Sequence, residues 1–140
     1  MQKINLITKK DMALGELEFD KSQFEFPKQV RVDFSKTRTS FEYEDQGGEQ
    51  VKTDRVKRMS LFGVDEAVAK LLEAQGMDID NLHPLEIWVL DNFSKYQLYQ
   101  EQGLVKTMEL KEFSIVPKWT NGAYRDIALV AKTLKELPNE

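Results

Sequence analysis

Basic and aromatic side chains crowd the stretch from Lys28 to Phe62. They are the types that hold a ring-bearing polyanion. Arg38, Lys52, Arg55, Lys57 and Arg58, with Lys36 beside them, carry the positive charge that tracks phosphates. Phe41 and Tyr43 follow Phe34 in alternation with polar neighbours, and bases stack on such rings for roughly 1–3 kcal/mol each. A second cluster, Lys95, Tyr96 and Tyr99, lies ahead of the last long β-prone run. Each group also has a structural reading. Phe34 shares parity with Val30 and Val32, which suits a core. The cations stand near Glu42, Glu44, Asp45 and Asp54, which suits surface ion pairs. Phe93 or Tyr96 suits the closing of a barrel end, Trp88 suits the core, and Trp119 suits a cap. Stacking requires an outward face, and alternation alone does not say which face is outward.

No catalytic pattern competes with binding. His83 is the single histidine, precedes Pro84, and has no serine motif to partner; alone it cannot make a multi-histidine metal site. Cysteine is absent, which removes disulfides, thiolate metal ligands and thiol nucleophiles and suits a reducing cytoplasm. Asp78, Asp80 and Asp91 do not follow the calcium-loop pattern, and Gly47-Gly48 lacks the Gly-Lys-Ser/Thr of a phosphate loop. The expectation is a binding protein rather than an enzyme, with no cofactor and no metal.

The elements that would position these residues read as follows. Gln29–Ser35 and Thr37–Glu44 alternate with period two. Gln46-Gly47-Gly48-Glu49 is a hairpin turn, and Val51–Phe62 is a return strand whose period slips between Val56 and Met59, as at a bulge. Val64, Val68, Leu71 and Leu72 form a helical stripe stopped at Gly76. Leu85–Leu90 reads as a strand buried on both faces. Residues 91–102 read as a helical turn or a hairpin, and Leu104–Val116 as one further long strand. Ala123, Ile127, Val130, Leu134 and Leu137 have helical spacing, with Asn121 as N-cap and Pro138 as stop, predicting a C-terminal helix over 122–137. Strand, strand, strand, helix, strand, strand is the order of an OB-fold. The expected class is therefore mainly β with added helices: an OB-like Greek-key barrel, a helix between its third and fourth strands, and a C-terminal helix.

The 140 residues suit one domain, 13–140, preceded by an arm, 1–12, in which Ile4 and Leu6 alternate with polar neighbours and could self-associate by completing a neighbour's sheet. No apolar run of about 18 residues suggests a membrane span, and Met1–Asp11 does not read as a secretory signal. The net charge of −4 is unevenly spread. Residues 59–92 carry 1 basic and 7 acidic groups, whereas 28–58 carry 8 and 6. A fold that gathers the strands could thus show a basic surface on an acidic protein.

Leu14-Gly15-Glu16-Leu17-Glu18-Phe19, followed by Val30-Arg31-Val32 and a strand hairpin, resembles the OB-fold single-stranded-DNA-binding accessory proteins of Gram-positive conjugative plasmids and integrative elements, over roughly residues 12–116. The resemblance implies sequence-indifferent binding of single-stranded DNA in conjugative transfer or mobile-element replication, with side-by-side assembly along the strand; the expected location is cytoplasmic. The alternative expectation is a protein-interaction module of a phage or conjugation assembly that binds no nucleic acid. Its contacts would be the N-terminal arm and the C-terminal helix.

Overall fold

The computed structural model describes residues 18–132 and 134–137. The strands are β1 (Gln29–Asp33), β2 (Arg38–Gln46), β3 (Glu49–Asp65), β4 (Leu85–Val89), β5 (Val105–Glu109), β6 (Ser114–Thr120), β7 (Ala123–Ala131) and β8 (Lys135–Glu136). The helices are α1 (Glu66–Ala74) and α2 (Phe93–Gln102). One mixed sheet runs in the order β6-β7-β4-β3-β1-β5-β8, and β2 pairs with β3 beside that path. All pairs are antiparallel except β4 with β7.

Chain connectivity forces this sheet to curl. Strands β5 and β6 stand five places apart in the sheet, yet residues 110–113 alone join them. Five inter-strand spacings of about 4.8 Å make about 24 Å. The linker, fully extended, reaches only about 18 Å. The two flanks must therefore approach each other. The opening between them is occupied by residues 18–28: Phe19 bridges Ile115 on β6, and the Leu110 N–H donates to the Lys28 carbonyl. The rings of Phe24, Phe26 and Phe113 follow one another there, the last two edge-to-face at 4.9 Å.

The OB-like barrel is thus not present. No pairing joins β6 to β5 or β8 among the described residues, and the sheet stays open. The resemblance to the conjugative-element OB proteins fails on the same ground. With it go the conjugation, plasmid and mobile-element setting and the DNA binding inferred from the barrel. The predicted helix over 122–137 is also absent, since Ala123–Ala131 is strand β7. Asn121 and Gly122 both have positive φ, 50° and 82°, so this Asn-Gly turns a hairpin instead of capping a helix. The continuous apolar run Ile127–Ala131 suits either structure by period alone. The free edge of β4 decides it, through Ile87 beside Leu129 and Val89 beside Ala131. Leu104–Val116 is not one strand but β5 and β6, at opposite flanks. Residues 91–102 resolve into α2.

Alternation sorts the two faces. Val30, Val32, Met59, Leu61, Ile87, Val89, Met108 and Leu129 are buried, and they line the inside of the curl with Phe34 and Tyr96. Helix α2 closes this core: Tyr96 stacks on Phe34 at 5.8 Å, and its hydroxyl accepts from the Leu134 N–H. Strand β1 crosses β3 so closely that a Cβ on Gly63 would stand 2.9 Å from the Val30 Cβ. Both atoms lie in the packed core, so neither side has room to yield. G63A should lower stability by about 1–3 kcal/mol. The loss is read from urea unfolding midpoints.

Candidate functional site

The residues of opposite parity face outward. On β3 these are Arg58, Ser60, Phe62 and Val64; on β4 they are Glu86 and Trp88. The register sets Phe62 beside Glu86, Ser60 between Arg38 and Trp88, and Arg58 beside Ser40. Two cation–ring units result. The Arg58 guanidinium lies 3.7 Å from the Trp88 ring centroid, and that of Arg38 lies 5.6 Å from the Phe62 ring.

Glu86, the carboxylate on this stretch of β4, is committed elsewhere. Glu86 accepts from Trp88 Nε1 at 2.5 Å and from Lys118 Nζ at 2.6 Å. Arg58 is left with no hydrogen bond or ion pair among the described residues. Burial pushes its guanidinium down from the ordinary value, against the opposing field of Glu86. It remains cationic, as guanidinium does in proteins.

Helix α1 and the connection through residues 75–84 wall off a groove of about 690 Å³ at the Arg38–Phe62 unit. Its apolar lining is Phe62, Val64, Ile79, Leu82, Pro84 and Val105; its polar lining is Arg31, Asp33, Lys36, Arg38, Glu73 and Asp80. Asp65 caps α1 through the Ala67 N–H at 3.0 Å. Arg31 then pins the helix to the sheet, with Nε and Nη2 on the buried Glu66 at 2.9 and 3.0 Å and Nη1 on Glu73 at 2.7 Å. The Glu66 bonds raise the Arg31 guanidinium most, burial opposes them, and Glu73 adds to the rise. Asp33 accepts from both the backbone N–H and the hydroxyl of Ser35. Lys36 and Arg38 remain as exposed cations with no carboxylate partner among the described residues.

The site residues expected from the sequence divide into three places. Arg38 and Arg58 sit on the outer face just described. Phe41, Tyr43, Lys52, Arg55 and Lys57 belong to the β2–β3 hairpin. There Lys52 lies 4.4 Å from the Phe41 ring, Tyr43 is 61% exposed, Lys57 is exposed, and Arg55 is held by Glu42 and Glu44. Strands β2 and β3 shift register where Phe41 meets Val56, the position of the expected slip. Lys95, Tyr96 and Tyr99 belong to the core side. Tyr96 is fully buried under Phe34, so no base can stack on it. Tyr99 packs edge-on against Phe34, and its hydroxyl donates to Glu136. Lys95 is paired with the same carboxylate. Ile4 and Leu6, with the whole of arm 1–12, lie outside the described residues.

Phe62, Trp88, Glu86 and Lys118 are outer-face residues that the sequence reading left out of the site. Their signal was present: in Leu85-Glu86-Ile87-Trp88-Val89, Trp88 shares its parity with Glu86. No group of three His, Cys, Asp or Glu residues among those described could hold a metal ion. No helix among them is long and apolar enough to cross a membrane. No protein-family model, no curated protein and no solved structure matches the chain.

Glu136 ties α2 to β5 and β8 through Lys95, Tyr99 and, at 3.0 Å, Lys106. Burial works to raise its carboxyl, but the bonds from Lys95, Lys106 and Tyr99 prevail and hold it at about 2, below the ordinary 4.5. A carboxyl depressed on folding adds stability above its unfolded value and loses it as the pH falls through the folded value. The urea midpoint should therefore drop between pH 4.5 and about 2. E136Q should be less stable at pH 7 and flatter across that window. Parallel acid profiles for the two proteins would assign the loss to other groups.

Proposed function

We propose that the outer face of the curled sheet binds single-stranded nucleic acid with little regard to sequence. The observation that carries this reading is the pair of cation–ring units, Arg38 with Phe62 and Arg58 with Trp88, on a face where Glu66, Glu73 and Glu86 are paired with Arg31 and Lys118. Guanidinium groups take phosphate oxygens as charge-assisted acceptors. Bases stack on aromatic faces or on guanidinium planes, and such stacking discriminates little between bases. Lys36 adds a third cation at the groove mouth. The net charge of −4 does not oppose this, because Glu66, Glu73 and Glu86 are neutralised locally by Arg31 and Lys118. We read the protein as a binding module because its outer face offers cations and rings, not a nucleophile with a paired base. A cytoplasmic setting belongs to the same proposal.

A second reading keeps one observation in its favour. The β2–β3 hairpin carries Tyr43 and Val51 exposed, a surface suited to a protein partner. It takes the place of the C-terminal helix expected for that role.

Fluorescence anisotropy with labelled oligothymidylate, oligouridylate and a matched duplex, over a salt series, tests the first reading. Both single strands should bind more tightly than the duplex. The double variant K36Q/R38Q should shallow the salt slope by about 1.4, two single-strand phosphate contacts at about 0.7 each. F62A should weaken binding by about 1–3 kcal/mol. No single-strand binding at low salt, or binding that none of these variants changes, would overturn the reading and leave the hairpin as the working surface.

A further inference from the structure

We infer that Arg58, seated on Trp88, is a second phosphate subsite one ladder step from Arg38, so that the ligand is a strand with consecutive phosphates and not a mononucleotide. This rests on the reading of the outer face given above.

Three features of Arg58 point to an acceptor from outside the chain. Its Nε is shut off from water and has no hydrogen-bond partner. Closed off in this way, Nε is beyond the reach of an outside acceptor as well, so a phosphate must be met by the terminal nitrogens. Neither terminal nitrogen is closed off in this way, and the part-exposed side chain has no hydrogen-bond partner among the described residues. The carboxylate that could have neutralised the group, Glu86, is instead occupied by Trp88 and Lys118. The Trp88 ring meanwhile holds the guanidinium at 3.7 Å, which restricts a side chain that would otherwise lose much rotamer freedom on binding.

The ladder supplies the spacing. Arg38 pairs with Ser60, and Ser40 pairs with Arg58, so Arg38 and Arg58 are diagonal neighbours on two adjacent strands. Diagonal neighbours lie about 7–8 Å apart at Cα. One nucleotide repeat of an extended strand covers such a step. A phosphate at Arg38 therefore brings the next one within reach of Arg58, with Phe62 and Trp88 beside the two positions for the bases. A mononucleotide can engage only one of these positions at a time.

The test uses the full chain with thymidine 5′-monophosphate, the 5′-phosphorylated dinucleotide and a labelled oligothymidylate as probes. Wild-type affinity should rise by about tenfold or more from mononucleotide to dinucleotide, as a second charge-assisted contact forms. R58Q should abolish that rise and shallow the oligothymidylate salt slope by about 0.7. R58K, which keeps the charge but not the planar fork, should retain the wild-type slope with weaker binding. Thermal unfolding of each variant separates loss of the fold from loss of the contact. If R58Q keeps both the slope and the dinucleotide gain, Arg58 is not a subsite, while the outer-face reading survives through Lys36 and Arg38. If no probe binds wild type at low salt, both fall together.

Discussion

The short link between β5 and β6 is the constraint on which this architecture depends. Four residues cannot cross a flat sheet of six strands, so the sheet must bend until its flanks are within their reach. Bending turns one set of alternate side chains into an enclosed core and leaves the other set on a convex surface. Helix α2, the Phe34 ring and the aromatic row from Phe19 to Phe113 then close what the strands leave open. The curl stops short of a barrel because residues 18–28, rather than a strand-to-strand ladder, occupy the gap.

That division of faces also organises the charge. Ion pairs on the outer side do structural work where they anchor an element: Arg31 holds α1 to β1, and Glu86 links β4 to β6 through Lys118. Each such pair removes a carboxylate from the field around the remaining cations. Lys36, Arg38 and Arg58 then stand as local positive charge on an acidic chain. Rings beneath two of them keep the guanidinium groups in place without neutralising them. On the far side, Glu136 does the reverse. It gathers Lys95 and Lys106 and satisfies Tyr99, so cations and a ring that look like binding groups in the sequence serve to hold α2 against the sheet.

Much was legible in the sequence because it depends on neighbours along the chain. Period-two alternation located β1, β2 and β3, the paired glycines located their hairpin, and the stripe from Val64 to Leu72 located α1. Arg38 and Arg58 are binding candidates by type and company, and the pairing of β2 with β3 sets both on one face. What the sequence could not decide was partnership. The run Ile127–Ala131 has enough apolar residues to satisfy a helix or a doubly buried strand, and only the free edge of β4 selects the strand. Tyr96 and Tyr43 are chemically equivalent as stacking groups. One is sealed beneath Phe34 and the other is open to solvent, because burial depends on which element packs above a residue and not on its identity. Trp88 passed for core because it lies in an apolar run, although it faces outward with Glu86. Local pattern thus located β1 to β3, their hairpin turn and the first helix. Only the long-range pairing of strands, which chain connectivity forces into a curl, decided which face of each strand meets water and which cations remain unpaired on it.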